Sequence, residues 1–149
     1  MQEIIGNMWF IKANAYCVTT NNVIKDNGRA VMGAGVALSA ARKFPQCDKY
    51  LADFIEKNGH IVGVFYTVVN DKNNFDLISF PTKYHWKNKS DIKLIEKSAK
   101  ELMNLINLNR YNSVILPKPG CSNGGLDWSY VKGIVEPILD DRVVIVSLA

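Results

Sequence analysis

The sequence has few of the residues that build metal sites and disulfide frameworks. Its 149 residues include two histidines and three cysteines, and neither type occurs at the spacing of a metal-ligand motif. The odd number and wide separation of Cys17, Cys47 and Cys121 argue against a disulfide framework and favour a reducing compartment. We therefore expect a cytoplasmic protein that uses no metal and no other cofactor.

Long apolar runs and strong compositional bias are also missing. No apolar stretch approaches the ~20 residues of a membrane-spanning helix, and residues 1–5 lack the pattern of a secretion signal, so no membrane partner is expected. With 48% hydrophobic and 21% charged residues, the chain is expected to form one globular domain over residues 1–149. The net charge of +4 mildly favours an anionic partner but is far below that of a dedicated duplex-DNA binder.

Hydrophobic patterning predicts alternating strands and helices. The predicted strands are 3–5, 15–20, 62–69, 75–80, 113–116 and 143–146, and the predicted helices are 34–44, 48–57, one capped by Ser90 and one capped by Asp127. His60 follows Asn58-Gly59 and is expected in an exposed turn. This order predicts a three-layer α/β/α sandwich with a mixed central sheet. No helix carries a spare apolar face, so we expect a monomer.

Two glycine-rich loops each follow a predicted strand and precede a predicted helix. The first is 30–35 and the second is 120–128. Glycine lets the backbone approach a ligand closely and turn its amide groups inward, and a helix that starts after the loop adds its positive dipole end. In open α/β sheets the ligand lies beyond the carboxyl ends of the strands. The loops and the segment after Phe80 therefore predict one crevice for a ligand with phosphates.

Neither loop matches a common nucleotide-binding fingerprint. Leu38 stands where the third glycine of a dinucleotide motif would be, and no Gly-Lys-Ser/Thr follows either loop. The chain also has no Ser-centred nucleophile elbow and no metal cluster. Dinucleotide oxidoreductases, P-loop nucleotidases and serine hydrolases are therefore poor fits.

Three stretches resemble the macrodomain family, whose members bind ADP-ribose. They are residues 18–21 with 31–37, residues 79–86 and residues 116–128. The last two are most similar to one branch, which includes the bacterial antitoxin macrodomain that removes ADP-ribose from DNA and the glycohydrolase that removes terminal ADP-ribose from protein glutamates. The link between Asn21 and Val31 is longer here than is typical of the DNA-directed members.

The resemblance implies a role for each matching residue. The implied ligand-binding residues are Asn21, Val31, Met32, Gly33, Ala34, Gly35, Val36, Pro119, Gly120, Cys121, Ser122, Asn123, Gly124, Gly125 and Leu126. Lys83 is the implied catalytic residue, with His85 and Asp127 as further candidates. The protein-directed glycohydrolase carries an aspartate inside its second glycine loop. This chain has Asn123-Gly124-Gly125 there, and the nearest acid, Asp127, also suits a helix cap.

The chemistry of ADP-ribosyl bonds leaves two roles for Lys83. A neutral amine can attack the aldehyde-like carbon of the opened sugar and form a Schiff base, which requires a lysine pKa well below the ordinary ~10.4. A charged lysine can instead act as an acid or an electrostatic clamp, and His85 could move a proton. The predicted function is removal of ADP-ribose from DNA, protein or a small molecule. The alternatives are a non-catalytic ADP-ribose or signalling-nucleotide binding module and a phosphatase of ADP-ribose carrying a terminal phosphate.

Overall fold

The computed structural model describes residues 1–148, in which six strands and four α-helices alternate. The strands are β1 Gln2–Ile5, β2 Ala15–Thr20, β3 Gly63–Val68, β4 Phe75–Pro81, β5 Val114–Leu116 and β6 Val143–Ser147, and the helices are α1 Gly35–Lys43, α2 Cys47–Asn58, α3 Ile92–Asn109 and α4 Trp128–Val135. A short 3-10 helix covers Met8–Phe10. Within these residues no helix has both the length and the apolar content to cross a membrane.

All six strands belong to one mixed sheet, in the order β1-β6-β5-β2-β4-β3. Neighbours among the first five strands in this order pair in parallel, and β3 pairs antiparallel with β4. Five strands therefore end at the same edge of the sheet. Loops that leave this edge are close in space although they are far apart in sequence.

Helices cover both faces of the sheet, as the alternation of side chains along the strands requires. In β2, Ala15 and Cys17 pack toward α3 and α4, while Tyr16 and Val18 pack toward α1 and α2. These side chains are buried on both faces of the sheet. Complete burial of Cys17 raises the pKa of its thiol above the usual range. The predicted three-layer α/β/α sandwich is confirmed.

The helix boundaries agree with local chemistry, with one correction. The N-cap of α3 is Asp91, whose Oδ1 accepts hydrogen bonds from the Lys93 and Leu94 amides at 2.9 and 3.3 Å. The prediction that Ser90 caps this helix is therefore wrong, because Ser90 lies one residue too early and its hydroxyl points into the protein. α4 ends at Val135, two residues before Pro137, as the proline predicts.

His60 is a second correction, because it is not an exposed turn residue. Both of its ring nitrogens are shielded from solvent and have no hydrogen-bond partner among the described residues. Its ring packs edge-on against Tyr84, with 6.1 Å between the ring centres. Burial lowers the pKa of His60 to about 4, so the ring is neutral near pH 7. Tyr84 comes from a segment distant in sequence, so the local Asn-Gly signal could not reveal this cover.

Candidate functional site

The loops after β2, β4 and β5 surround a cavity of about 590 Å³ at the carboxyl edge of the sheet. Most residues predicted for the ligand site line this cavity: Asn21, Val31, Gly33, Ala34, Gly35, Val36, Lys83, Gly120, Cys121, Ser122, Asn123 and Gly124. The structure thus brings both glycine loops and the predicted catalytic lysine together. Its wall also contains residues that the sequence reasoning missed, including Lys25, Trp86, Ser90 and Lys118.

A second cavity of about 630 Å³ continues the first along the same edge. It lies over the ends of β1 and β6 and is lined there by Gly6, Asn7, Trp9 and Ser147. The two cavities share wall residues from the start of α1 and from the second loop: Gly35, Val36, Pro117, Lys118, Cys121 and Ser122. They therefore form one elongated cleft with the glycine loops at its middle. Gly6 and Asn7 directly follow β1, and the strand-end rule could have identified them.

The first loop presents free backbone amides to the cleft. Helix α1 begins at Gly35 without a side-chain cap, and the first amide to bond back within it is that of Leu38, to the Ala34 carbonyl at 3.1 Å. Because the first amides of a helix have no intrahelical partner, they attract an anion such as a phosphate. Gly35 has φ +56°, which favours glycine, and no acidic side chain occupies the first turn.

The long link before this loop is itself folded. Ile24 pairs with Ala30 in a short hairpin, and Arg29 forms an ion pair with Asp48 at 2.7 Å. Asn21 stabilises the hairpin through two hydrogen bonds: its Oδ1 accepts from the Val23 amide, and its Nδ2 donates to the Val31 carbonyl. The link therefore holds Lys25 in the cavity wall. Asn21 lines the cavity as predicted, but its amide group is also engaged in holding the loop.

The second loop is built around closely packed glycines. Gly120 and Gly125 have φ +77° and +74°, and the Leu126 amide donates to the Gly120 carbonyl at 2.9 Å. A Cβ atom at Gly124 would overlap Ser90 Oγ and lie 2.5 Å from the Gly120 carbonyl oxygen. The Ser90 amide donates to the Gly124 carbonyl at 2.9 Å. Gly124 is therefore required by the packing of the loop itself.

Lys83 stands on a segment that is fixed on both sides. The preceding Thr82 donates its amide to the Thr20 carbonyl at 3.1 Å and accepts from the Asp91 amide at 2.9 Å. The Lys83 side chain is half-buried in the cavity wall and forms no ion pair with any residue from 1 to 148. Lys83 lines only the first cavity and Asn7 lines only the second, so the two residues lie in different halves of the cleft.

The family-level comparison agrees with this geometry. Residues 25–135 match the sequence model of the Macro domain. The chain belongs to the macrodomain family. The macrodomain of Thermus aquaticus DarG superposes with a TM-score of 0.79 at 30% identity, covering 97% of this chain and 95% of that one. The solved structure of Thermosipho africanus DarTG in complex with ADP-ribose also gives a TM-score of 0.79, at 28% identity, covering 95% of this chain and 39% of that chain.

Curated relatives carry a more specific name. A Thermus aquaticus protein named DNA ADP-ribosyl glycohydrolase is 32% identical over 144 residues, and a Mycobacterium tuberculosis protein of the same name is 32% identical over 106 residues. The matched regions cover 94% and 68% of this macrodomain but only 38% and 30% of those relatives. This macrodomain therefore corresponds to about a third of their length.

Several predicted site residues of this macrodomain do not line either cavity. Met32 is buried in the core beneath α1 and α2, and Pro119, Gly125 and Leu126 line neither cavity. His85 stacks on Trp86, and its Nδ1 accepts from the Lys87 amide at 3.1 Å. Asp127 stands at the N-cap position of α4, where its carboxylate accepts from the Ser129 hydroxyl. Neither His85 nor Asp127 is placed beside Lys83 in the cavity wall.

Cys121 lines the cleft of the macrodomain as a thiol. Its Sγ donates to the Pro119 carbonyl at 3.4 Å, and burial raises its pKa to about 11. A thiol with this pKa is protonated near pH 7, so it is not a nucleophile.

Removal of the buried Ser90 hydroxyl is expected not to lower the stability of the macrodomain. Its Oγ is buried against the second loop and has no partner among the described residues. An unpaired buried hydroxyl costs ~1–3 kcal/mol, so Ser90→Ala is expected to leave the melting temperature of the free macrodomain unchanged or to raise it. Thermal denaturation followed by circular dichroism measures this.

Ser98 supplies the matched control for that measurement. It is also buried, but its Oγ donates to the Pro81 carbonyl at 2.7 Å. Ser98→Ala leaves that carbonyl unpaired and is expected to destabilise the macrodomain by ~1–3 kcal/mol. Equal destabilisation by both substitutions would show that Ser90 Oγ has a partner in solution.

Proposed function

We propose that this macrodomain binds ADP-ribose along the cleft. The observation that carries the proposal is the arrangement of two cavities on either side of a stretch of free amides. A ligand with a central diphosphate and two bulky ends fits this arrangement, since the amides at the start of α1 suit the phosphates. The adenosine half would occupy the cavity beside Asn7 and Trp9. The distal ribose would occupy the cavity beside Lys83.

We further propose that the macrodomain hydrolyses ADP-ribosyl linkages at the distal ribose. Lys83 supports this step because it is held at the end of the cleft where the anomeric carbon would lie. As a cation it would stabilise the leaving group or donate a proton to it. As a neutral amine it would bond to the anomeric carbon while the acceptor leaves with a proton. Water would then release ADP-ribose and regenerate the amine.

The proposed acceptor is DNA. The supporting observations are the names of the curated relatives, DNA ADP-ribosyl glycohydrolase, and the net charge of +4 on this chain. Positive charge attracts the phosphate groups of DNA. An acidic protein segment would be attracted by the same charge, but it would make no contacts with bases.

A substrate panel tests the proposed function. The wild-type macrodomain is incubated with ADP-ribosylated DNA, with protein ADP-ribosylated on glutamate and with a small ADP-ribosyl ester, and released ADP-ribose is quantified by chromatography. We expect release from ADP-ribosylated DNA, with Lys83→Ala as the inactive control. Binding of ADP-ribose without release from any member of the panel would identify a non-catalytic binding module instead.

Turnover is expected to be insensitive to chelators. Among residues 1–148 no three histidine, cysteine or acidic side chains are clustered so that they could hold a metal ion. The proposed step is assigned to Lys83 and to backbone amides, which need no metal. Release of ADP-ribose in excess EDTA should therefore match release without it. A loss of activity that only a divalent metal restores would contradict this expectation.

A further inference from the structure

Lys118 brings a positive charge to the junction of the two cavities. It follows β5, which lies between β6 and β2 near the middle of the sheet. The side chain is half-buried and lines both cavities, as the uncapped start of α1 and part of the second loop also do. The middle of the cleft therefore combines a lysine side chain with free backbone amides.

The backbone that carries Lys118 is rigid. Pro117 and Pro119 flank it, and a proline fixes its own φ and restricts the residue before it to extended conformations. The Cys121 amide donates to the Lys118 carbonyl at 3.3 Å and closes the turn that begins the second loop. The direction in which the Lys118 side chain leaves the backbone is therefore set by the end of β5 and the two prolines.

The Lys118 ammonium lies over an aromatic ring rather than beside an acid. Its Nζ is 5.6 Å from the centre of the Trp128 ring, and it forms no ion pair with any residue from 1 to 148. Burial raises the pKa of the Cys121 thiol to about 11, and the nearby charge of Lys118 opposes this rise, as expected for an ammonium beside the shared wall of the cavities. A cation–π contact leaves the three N–H donors of the ammonium available for an anion.

Trp128 is held in place by residues that line neither cavity. Its indole N–H donates to Glu3 Oε1 at 2.9 Å, and the other carboxylate oxygen of Glu3 pairs with the Lys132 ammonium at 2.6 Å. Glu3 lies in β1, and Trp128 and Lys132 are one turn apart on α4. Hydrogen bonds from Lys132 and Trp128 lower the pKa of Glu3, so its carboxylate is charged near pH 7. Because both of its oxygens are engaged, Glu3 orients Trp128 and forms no ion pair with Lys118.

We propose that Lys118 binds the diphosphate of ADP-ribose through its ammonium, and that Trp128 is the positioning residue that holds this ammonium at the middle of the cleft. The proposal rests on the proposed function, since it takes the junction of the two cavities as the place of the diphosphate. The amides at the start of α1 supply partial positive charge from the first loop. Lys118 supplies a full charge from the second loop, and hydrogen bonds to an ionised partner are stronger than neutral ones.

Titration of the Lys118→Met variant with three ligands tests the assignment. Methionine keeps the length of the side chain and removes its charge. Calorimetry should show affinities for ADP-ribose and ADP that are lower by at least about tenfold, because a charge-assisted contact to the phosphates is lost. The affinity for adenosine, measured by chemical-shift titration, should change by less than about twofold, because adenosine has no phosphate for Lys118 to contact. Lys118→Arg keeps the charge and should bind ADP-ribose within about threefold of wild type.

Matched variants separate Lys118 from net charge and from packing. Lys49→Met removes a charge from an exposed position of α2 and should leave ADP-ribose affinity within about twofold of wild type. Trp128→Phe removes the indole N–H that bonds Glu3, and Trp128→Leu also removes the aromatic face. Both should weaken ADP-ribose binding, Trp128→Leu more than Trp128→Phe, but neither should weaken it further when Lys118 is already methionine. Equal losses in the two backgrounds would show that Trp128 does not act through Lys118.

Three results would overturn the assignment of Lys118 to the diphosphate. The first is wild-type affinity of Lys118→Met for ADP-ribose. The second is the same loss for adenosine as for ADP-ribose, which would reduce the effect to the shape of the cavity. The third is an equal loss in Lys49→Met, which would reduce it to net charge. In each case the wild-type protein still binds ADP-ribose, so the proposed function stands, whereas a wild-type protein that binds no ADP-ribose would overturn the proposed function itself.

Discussion

Lys83→Ala is expected to lower turnover of an ADP-ribosylated substrate at least about a hundredfold, the effect of losing one acid–base or electrostatic group. Binding of ADP-ribose should weaken no more than about tenfold, or ~1.4 kcal/mol, because the backbone amides of the glycine loops remain. The segment that carries Lys83 is held by the Thr82 and Asp91 backbone hydrogen bonds, so the substitution should not move the loop. Single-turnover release of ADP-ribose and calorimetric titration measure the two effects separately.

Lys83→Arg distinguishes the two roles left open for the lysine. Arginine keeps the positive charge but cannot form a Schiff base, so partial activity favours the charge clamp and no activity favours the amine. Lys93→Ala, at an exposed position in the first turn of α3, is the control and should have wild-type activity. Wild-type turnover in Lys83→Ala would mean that the macrodomain does not use this lysine, and the non-catalytic alternative would then be preferred.

Gly33→Val is expected to weaken ADP-ribose binding at least about a hundredfold without destabilising the fold. A Cβ atom at Gly33 meets no atom of residues 1–148 within 4 Å, and Gly33 lines the cavity. The new side chain would therefore occupy space that the diphosphate needs in order to reach the backbone amides. Calorimetry with ADP-ribose measures the loss, and thermal denaturation establishes that the fold is intact.

Gly133→Val is the matched control, because a Cβ atom there also meets nothing within 4 Å and the residue is exposed on α4. It should bind ADP-ribose like wild type. Gly124→Val is not a suitable test of ligand binding, although the sequence alone suggests this substitution as strongly as Gly33→Val. Its side chain would collide with Ser90 and with the Gly120 carbonyl, so a loss of binding would follow from a distorted loop. An unchanged affinity in Gly33→Val would contradict the placement of the diphosphate.

Local patterns in the sequence were sufficient to predict the sheet, the helices and the two loops. Residues with high β-propensity identified β2, a turn before and a proline after the run identified β4, and proline and glycine marked the ends of α1 and α2. Because parallel strands end at one edge, the order of elements was enough to bring the loops together around Lys83. The resemblance to macrodomains added the residue roles, and the structure shows which of those residues line the cleft.

Features that depend on contacts between distant segments could not be predicted in this way. Ser90 resembles a helix cap in sequence, and only its packing against Gly120 and Gly124 shows that it supports the second loop. His60 is covered by Tyr84, which is remote in the chain. Trp9 enters the cleft because β1 lies beside β6 at the edge of the sheet.

The central claim is that one ligand spans both halves of the cleft, and calorimetric titration with ADP-ribose and with AMP tests it most directly. AMP contains the adenosine half and one phosphate but lacks the second phosphate and the distal ribose that would contact the second loop and the Lys83 end. We expect saturable one-to-one binding of ADP-ribose and binding of AMP that is weaker by at least about a hundredfold, or ~2.7 kcal/mol. Equal affinity for the two ligands would contradict it.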